Sequence, residues 1–321
     1  MTALRLGVIG LGRIAGVHLP ALRSFPEVEI AAVVDFRDDR RAAMGDKFAV
    51  ARRYRTVEEM LRDGELDAAW VLTNVEHTVE VAIACMEAGL HVFVEKPPGL
   101  YADDTRRMAR VARDRRRINM VGFNRRFNPL VLPALQAATA RGPLAHLLSQ
   151  WHKDNLPRTL NLLGETVAAT LLRSDLIHPL DLLRFCGGEV RRLHGRRRKR
   201  FTEFDDAFDA LIEFESGAVG HLVSSSKSPR KIERLQLVGE EVVVELDGDN
   251  SSFTRGVVFD RGGQRELRLD NVKRTDRLGF WDEDRYFVDC LLRGAAVTSP
   301  AADLEDAVKS VALADEFVML S

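Results

Sequence analysis

The feature that most limits how this chain can fold is an alternation of short apolar runs with helix-patterned segments, which begins at Leu4 and continues to Gly122. Leu4 to Ile9 runs into Gly10 and Gly12, and Ile14 to Ser24 then reads as a helix. Val28 to Val34 is β-prone apart from Glu29 and ends at Asp35, as a strand covered on both faces should. Thr56 with Glu59 forms a capping box ahead of Met60 and Leu61, and Asp67 to Thr73 supplies the next strand. Val79 to Ala88 has helical spacing closed by Gly89, and Leu90 to Val94 leads into Glu95-Lys96-Pro97-Pro98. Helix Ala102 to Arg117 and strand Ile118 to Gly122 complete the series. Right-handed crossovers with short connections leave one economical arrangement, a parallel sheet with helices on both faces. Residues 1–122 are therefore expected to form a doubly wound α/β domain.

After Gly122 the pattern changes. A helix around Leu130 to Ala140, a Gly142-Pro143 break and a strand Leu144 to Trp151 are followed by an apolar helix, Leu171 to Phe185. Beyond Gly187-Gly188 come strand-like runs at Ala207 to Phe214, Ala218 to Ser225, Glu233 to Val238, Val242 to Leu246 and Gly256 to Phe259, separated by Gly, Asp and Ser. Strands joined by short turns predict an open, mainly antiparallel sheet in an α+β domain over residues 123–302. Helices Asp282 to Leu292 and Asp303 to Leu320 close the chain, and the last, over 303–320, is expected to pack back near the first domain.

Composition narrows the function. The 321 residues are 45% hydrophobic and 30% charged, which excludes a low-complexity or collagen-like chain. Lys+Arg 47 against Asp+Glu 48 gives a net charge of -1, so no global field draws nucleic acid or anionic lipid. The densest basic run, Arg196 to Arg200 with Lys199, has a single neighbouring aromatic, Phe201, and reads as a solvated strand or a subunit contact. Cys85, Cys186 and Cys290 form no CxxC pair, no metal-ligand cluster stands out, and the start, Met-Thr-Ala-Leu-Arg-Leu-Gly, is not a signal peptide. No window approaches the roughly 20 apolar residues of a membrane span. A soluble, cytoplasmic protein holding its ligand in a local site is expected.

Gly10-Leu11-Gly12-Arg13-Ile14-Ala15 fits the G-x-G-x-x-G/A turn, whose small residues let backbone amides and a helix N-terminus approach a pyrophosphate. Asp35, 20 residues after Ala15, ends the second strand, where a carboxylate can accept ribose hydroxyls. Its charge disfavours a 2′-phosphate, although Arg37 could accommodate one, so NAD is expected and NADP is possible. Pro20 should kink the first helix, and His18 on that helix reads as packed near the turn rather than catalytic. Lys96 follows a strand at the edge where open α/β sheets place ligands, and could polarise a carbonyl or bond a hydroxyl. Three residues alone also fit a surface lysine in a proline turn.

GLGRIAGVHLPAL, TNVEHTVEVAIACMEAGLHVFVEKP and GFNRRFNP, in this order and spacing, resemble the Gfo/Idh/MocA oxidoreductase family over nearly the whole chain. The resemblance implies an α/β Rossmann doubly wound parallel sheet followed by an α+β domain with an open, mainly antiparallel sheet. It implies NAD or NADP and a substrate among sugars, inositols and related polyols. It also implies that Thr73, Asn74, His77, Glu95 and Lys96 line the cofactor cleft, with Asn124 and Arg125 near nicotinamide and substrate, and a cis Lys96-Pro97 bond. The family's other catalytic segment, Asp-x-Gly-x-His-x-x-Asp, falls on Ser174-Asp175-Leu176-Ile177-His178-Pro179-Leu180-Asp181. His178 and Asp181 match, Ser174 replaces the first aspartate and Leu176 the glycine. Asp175, three before His178, shares a helix face with it and could orient it. His178 on an apolar helix also fits a buried structural histidine.

The expected activity is hydride transfer between nicotinamide and a secondary hydroxyl or ketone. His178 exchanges the hydroxyl proton, Lys96 stabilises the alkoxide, and Asp175 assists. Gln150, Trp151, His152 and Lys153 end a strand expected to face the cleft, with Trp151 and His152 at the substrate, although Trp151 fits the core equally well. Two other readings stay open: a dinucleotide- or sugar-sensing regulator, which Ser174 favours, and an NAD-assisted lyase or glycosidase without net redox change. An apolar outer face on the second sheet should drive assembly into a homodimer or homotetramer. Substrate stereochemistry and reaction direction are not encoded in any linear motif.

Overall fold

The computed structural model describes residues 3–155, 167–249, 252–269 and 274–320. The chain separates into two compact units, residues 1–123 with 280–309 and residues 124–279 with 310–321.

In the first unit the strands β1 (Leu4–Ile9), β2 (Val28–Val34), β3 (Arg52–Tyr54), β4 (Ala68–Val71), β5 (His91–Glu95) and β6 (Asn119–Gly122) form one sheet in the order β3-β2-β1-β4-β5-β6. Every pairing is parallel. The strand order reverses between β1 and β4, the place where such sheets open a crevice for a ligand. Helices α1 (Ala15–Arg23), α2 (Asp38–Phe48), α3 (Val57–Asp63), α4 (Val75–Glu87) and α5 (Ala102–Asp114) make the crossovers. The Thr56–Glu59 capping box opens α3, and Pro20 lies inside α1. Two elements carry no apolar pattern to read. Gly45 is the one buried residue of α2, and β3 (RRY) is a short edge strand.

The second unit holds β7 (His146–Asp154), β8 (Val190–Arg198), β9 (Ala207–Phe214), β10 (Val219–Ser225), β11 (Lys227–Gly239), β12 (Val242–Asp249), β13 (Ser252–Asp260) and β14 (Gly263–Leu267). Their order is β14-β13-β12-β11-β7-β10-β9-β8, antiparallel except for the parallel pair β10 and β7. Helix α6 (Val131–Ala138) packs on this sheet. So does a composite helix made of α7 (Val167–Leu171), one π-helical turn (Leu172–Leu176) and α8 (Ile177–Gly187). Inward residues such as Leu147, Phe208, Leu222 and Leu237 form the core with Leu180 and Leu183 of α8.

The expected boundary needs correcting. A single boundary at 122 assigns residues 280–302 to the second domain, yet, after the short helix α9 (Arg274–Arg277), helix α10 (Phe280–Arg293) belongs to the first unit. There Phe287 meets Trp70 edge-on at 5.3 Å and lies 6.0 Å from Phe93. The last helix, α11 (Leu304–Met319), belongs to the first unit up to Lys309 and to the second beyond it. Leu304 N–H donates to Asn119 in the first unit, whereas Phe317 sits over Gly195, where a β-carbon would lie 2.2 Å from its ring, and joins the core of the second.

The outer face of the eight-stranded sheet is not a continuous apolar patch either. Register places Gln236 opposite Glu245 and Arg234 opposite Asp247, bonded at 2.9 and 2.7 Å, with Leu148 and Val223 scattered among them. The basic run lies on the edge strand β8 and just beyond it, with Arg197 and Arg198 paired to Asp205 and Asp209. Charge on an edge strand discourages pairing with another sheet.

Candidate active site

The first unit builds a dinucleotide cradle from the turn between β1 and α1. Gly10 has φ +90, and a β-carbon there would lie 2.7 Å from the Leu72 carbonyl oxygen, so no other residue fits without moving the loop that follows β4. At Gly12 the nearest atom to an added β-carbon is the Arg40 guanidinium at 4.0 Å, which leaves room above the turn. Ile14 offers no side-chain cap to α1, the Gly16 and Val17 amides of its first turn donate to the Arg13 and Ile14 carbonyls at 3.2 and 2.9 Å, and Arg13 is exposed beside them. Asp35, buried at the end of β2, accepts from the Leu11 and Arg37 amides at 2.8 and 2.9 Å. That brace holds the carboxylate to the glycine turn while each oxygen keeps a lone pair. Arg37 turns outward into a two-point contact with Asp39, at 2.6 and 3.1 Å.

Thr73 follows β4 and meets Thr78 through their hydroxyls at 3.1 Å. Asn74 precedes α4 as its N-cap residue, and His77 is exposed in the first turn of that helix. Glu95 and Lys96 end β5, the first buried and the second half-buried, and the Lys96-Pro97 bond is cis, as the resemblance implied. Burial pushes the Glu95 carboxyl above its usual range, against the opposing effects of Lys96, His18, the Lys96 amide and Arg13.

The second unit gathers another set of polar side chains around Trp151. Lys153 Nζ lies 4.8 Å from the centre of the indole, the Arg125 guanidinium 5.7 Å, and the His178 ring 5.9 Å. Lys153 pairs with Asp175 at 3.1 Å, and Asn155 donates to the same carboxylate. Arg125 pairs with Glu233 at 2.8 Å, both buried. Burial pushes the Glu233 carboxyl up, and Arg125, Lys153 and Lys231 oppose that push. Ser174, where the family has aspartate, bonds the Thr170 carbonyl of its own helix at 2.5 Å. Asp175 instead carries the carboxylate, and the π turn alters the spacing between it and His178 from that of a regular helix.

Not every expected residue joins this set. Strand β7 sends Trp151 and Lys153 to one face, and Gln150 and His152 to the other. His152 is there opposite Ser225 and Ile232, and burial with nearby Arg234 lowers its pKa. Asn124 donates its amide to the Leu278 carbonyl at 2.7 Å. Asp181, matched to the family segment, is structural: it takes Arg126 through both oxygens at 2.6 and 2.9 Å, and Ser310 at 2.7 Å. Asn155 and Glu233 are the members that sequence reasoning missed, and Lys153 was expected to face the cleft but given no role. Glu233 alternates with Leu235 and Leu237, so a carboxylate on the apolar face of a strand was the signal available. Among the described residues no group of three His, Cys, Asp or Glu could hold a metal, and no helix is long and apolar enough to cross a membrane.

Comparison with known proteins agrees with this layout. Residues 4–123 match the model of an oxidoreductase family with an NAD-binding Rossmann fold, and residues 134–245 match a GFO/IDH/MocA C-terminal domain. The chain is 29% identical over 276 residues to a myo-inositol 2-dehydrogenase of Thermotoga maritima, covering 83% of this chain and 81% of that one. It is 26% identical over 266 residues to a scyllo-inositol 2-dehydrogenase (NAD(+)) of Bacillus subtilis, covering 79% and 74%. An oxidoreductase from Agrobacterium radiobacter, solved with NAD+, L-tartaric acid and magnesium, shares the fold with a TM-score of 0.84 at 21% identity, over 98% of this chain and 95% of that one. The chain belongs to the Gfo/Idh/MocA family and is an oxidoreductase with an NAD-binding Rossmann domain.

Proposed function

We propose that this protein oxidises a secondary hydroxyl of an uncharged polyol or sugar of the inositol type, or reduces the matching ketone, with NAD preferred over NADP. The observation that carries the substrate class is the charge pairing around Trp151. Arg125 is matched by Glu233 and Lys153 by Asp175, so the set offers donors and acceptors but no surplus charge for an anionic substrate. An indole face bordered by such groups suits a ring that carries hydroxyls. The names of the inositol-oxidising relatives point the same way.

The residues present fit a dinucleotide: a glycine turn with no room for a side chain at Gly10, open space at Gly12, and a braced carboxylate at Asp35. Gly10, Gly12, Arg13, Ile14 and Ala15 would hold the pyrophosphate, Asp35 the adenosine ribose, and Thr73, Asn74 and His77 the rim of the cleft. The preference for NAD follows from the Asp35 charge and from the commitment of Arg37 to Asp39. Bound nicotinamide supplies or accepts the hydride. Lys96 steadies the charge that develops on the substrate oxygen, and His178 takes the hydroxyl proton in oxidation and returns it in reduction. Asp175, three residues before His178 and held by Lys153 and Asn155, is assigned to orient the imidazole. The test is nicotinamide absorbance with myo-inositol, scyllo-inositol, aldoses and hydroxy acids, each with NAD and with NADP. Turnover on polyols with NAD is expected; turnover confined to hydroxy acids, or none with any substrate, refutes the reading.

A further inference from the structure

Behind the strand that leads to Lys96 lies a buried polar cluster that the chemistry above does not use. His18 on α1 is sealed from solvent, with Nδ1 at 2.9 and 3.0 Å from the two oxygens of Asp284 on α10. Asp284, equally sealed, also accepts from Trp70 Nε1 at 2.8 Å. Indole nitrogen only donates and an ionised carboxylate only accepts, so with Asp284 ionised Nδ1 donates to it and the charge of the imidazole turns on Nε2. The His18 ring meets Phe93 edge-on at 5.3 Å and Phe280 at 5.4 Å. Phe93 and Glu95 stand two apart on β5 and share a face, so the layer that holds His18 continues to the Glu95 carboxyl. His18 Nε2 and Glu95 Oε2 are both buried without a hydrogen-bond partner. A polar atom left in that state costs about 1–3 kcal/mol, so two of them beside a reactive lysine call for a role.

We infer that His18 is a positioning residue for Lys96: through Nε2 it sets the charge of Glu95, and Glu95 holds the neighbouring ammonium protonated for the reacting oxygen. The groups facing these two are few. Burial pulls the His18 imidazole down, but the charge and hydrogen bond of Asp284, helped by Glu95, outweigh it and leave His18 above its ordinary value. Glu95 is pushed up by burial and restrained by Lys96, His18, the Lys96 amide and Arg13. Glu283, next to Asp284 on α10, is buried as well. The sign follows. Without the positive charge that His18 contributes, the Glu95 carboxyl is pushed further up, its negative charge beside Lys96 weakens, and the Lys96 titration is expected to move down. Ketone reduction, which needs the ammonium, then loses its alkaline limb at lower pH.

This inference rests on the role given to Lys96 above, and the experiment separates the two. Lysine Cε and histidine ring signals are titrated by NMR in isotope-labelled full-length protein, and kcat is measured against pH. His18→Gln is expected to lower the Lys96 titration and the alkaline limb of kcat together, by about 1 pH unit, the size of one lost neighbouring charge. Should His18→Gln fail to fold, Glu95→Gln reads the same coupling from the other side, and the His18 titration is expected to fall by a similar amount. An unshifted Lys96 in His18→Gln, or an unshifted His18 in Glu95→Gln, overturns the inference. If Lys96→Ala abolishes turnover while those titrations stay put, the inference falls and the function stands. If Lys96→Ala keeps full turnover, the function assigned to Lys96 falls, and the positioning role falls with it.

Discussion

The two sheets place functional side chains by different rules. In the parallel sheet the central strands are covered on both faces, so β4 is buried at all four positions and what varies is the loop after each strand. Its candidate cofactor residues, Gly10, Asp35, Thr73 and Lys96, all sit at or just past the end of a strand. In the antiparallel sheet the strands alternate, as β9 does with Phe208, Ala210, Ile212 and Phe214 buried and the residues between them half-buried, and the candidate residues lie within or against the strands. One residue of register then decides whether a side chain meets Trp151 or the opposite face. A site made of loops can be read from local motifs, whereas a site made of strand faces depends on pairing between distant segments.

The largest expected effect tests the second kind of site. His178→Ala should lower kcat by about 10²–10⁴-fold, the usual contribution of a placed acid–base group, with NAD affinity unchanged. Steady-state turnover with titrated NAD binding checks this, and a loss in binding alone would reassign His178 to structure. Next comes the buried pair that holds the 3₁₀ turn Asn124–Phe127 to α8. Arg126→Ala leaves Asp181 buried without its partner and should cost about 3–5 kcal/mol in denaturant unfolding. Surviving stability would show that Asp181 is not the structural anchor its contacts describe.

The same contrast explains what was legible in the residues alone. The glycine turn, Asp35 and the lysine after β5 were readable because each belongs to one strand–turn–helix unit with its own spacing. The path of the chain after residue 280 was not, since α10 joins the first unit through Phe287 packing on Trp70, a pairing that no local pattern announces. Lys153 was legible as facing the cleft but its pairing was not, and Glu233 was hidden for a related reason: the residues they pair with, Asp175 and Arg125, come from other elements of the second unit. Asp181 matches the family segment too, yet its carboxylate is taken up by Arg126 and Ser310.

Two smaller effects probe the loop-built cradle. Gly10→Ala forces a β-carbon against the Leu72 carbonyl at positive φ, a strain of about 1–3 kcal/mol, and should raise the NAD dissociation constant at least about tenfold while the fold persists. An unchanged constant by calorimetry would remove the turn from the binding site. Asp35→Asn removes the charge that repels a 2′-phosphate and should narrow the preference for NAD over NADP by about tenfold in kcat/KM, equivalent to about 1.4 kcal/mol. A preference that does not move would shift the selectivity to another residue.

The smallest effect is the sharpest test of the strand-face rule. His152 lies between two members of the candidate site in sequence, and its ring is chemically able to handle a proton. Its register places it opposite Ser225 and Ile232, on the far face of β7 from Trp151 and Lys153. His152→Ala should therefore leave kcat and KM within about twofold, the scale of a surface substitution away from the chemistry. Lys153→Ala, one residue further, deprives the Asp175 carboxylate of its 3.1 Å cation and should lower kcat by about tenfold or more. Measured side by side, the two variants share a strand, a neighbourhood in sequence and a polar character, and differ only in the face they occupy. Equal losses in both would mean that β7 does not keep this alternation in solution, and the assignment of Trp151 and Lys153 to the site would fail with it.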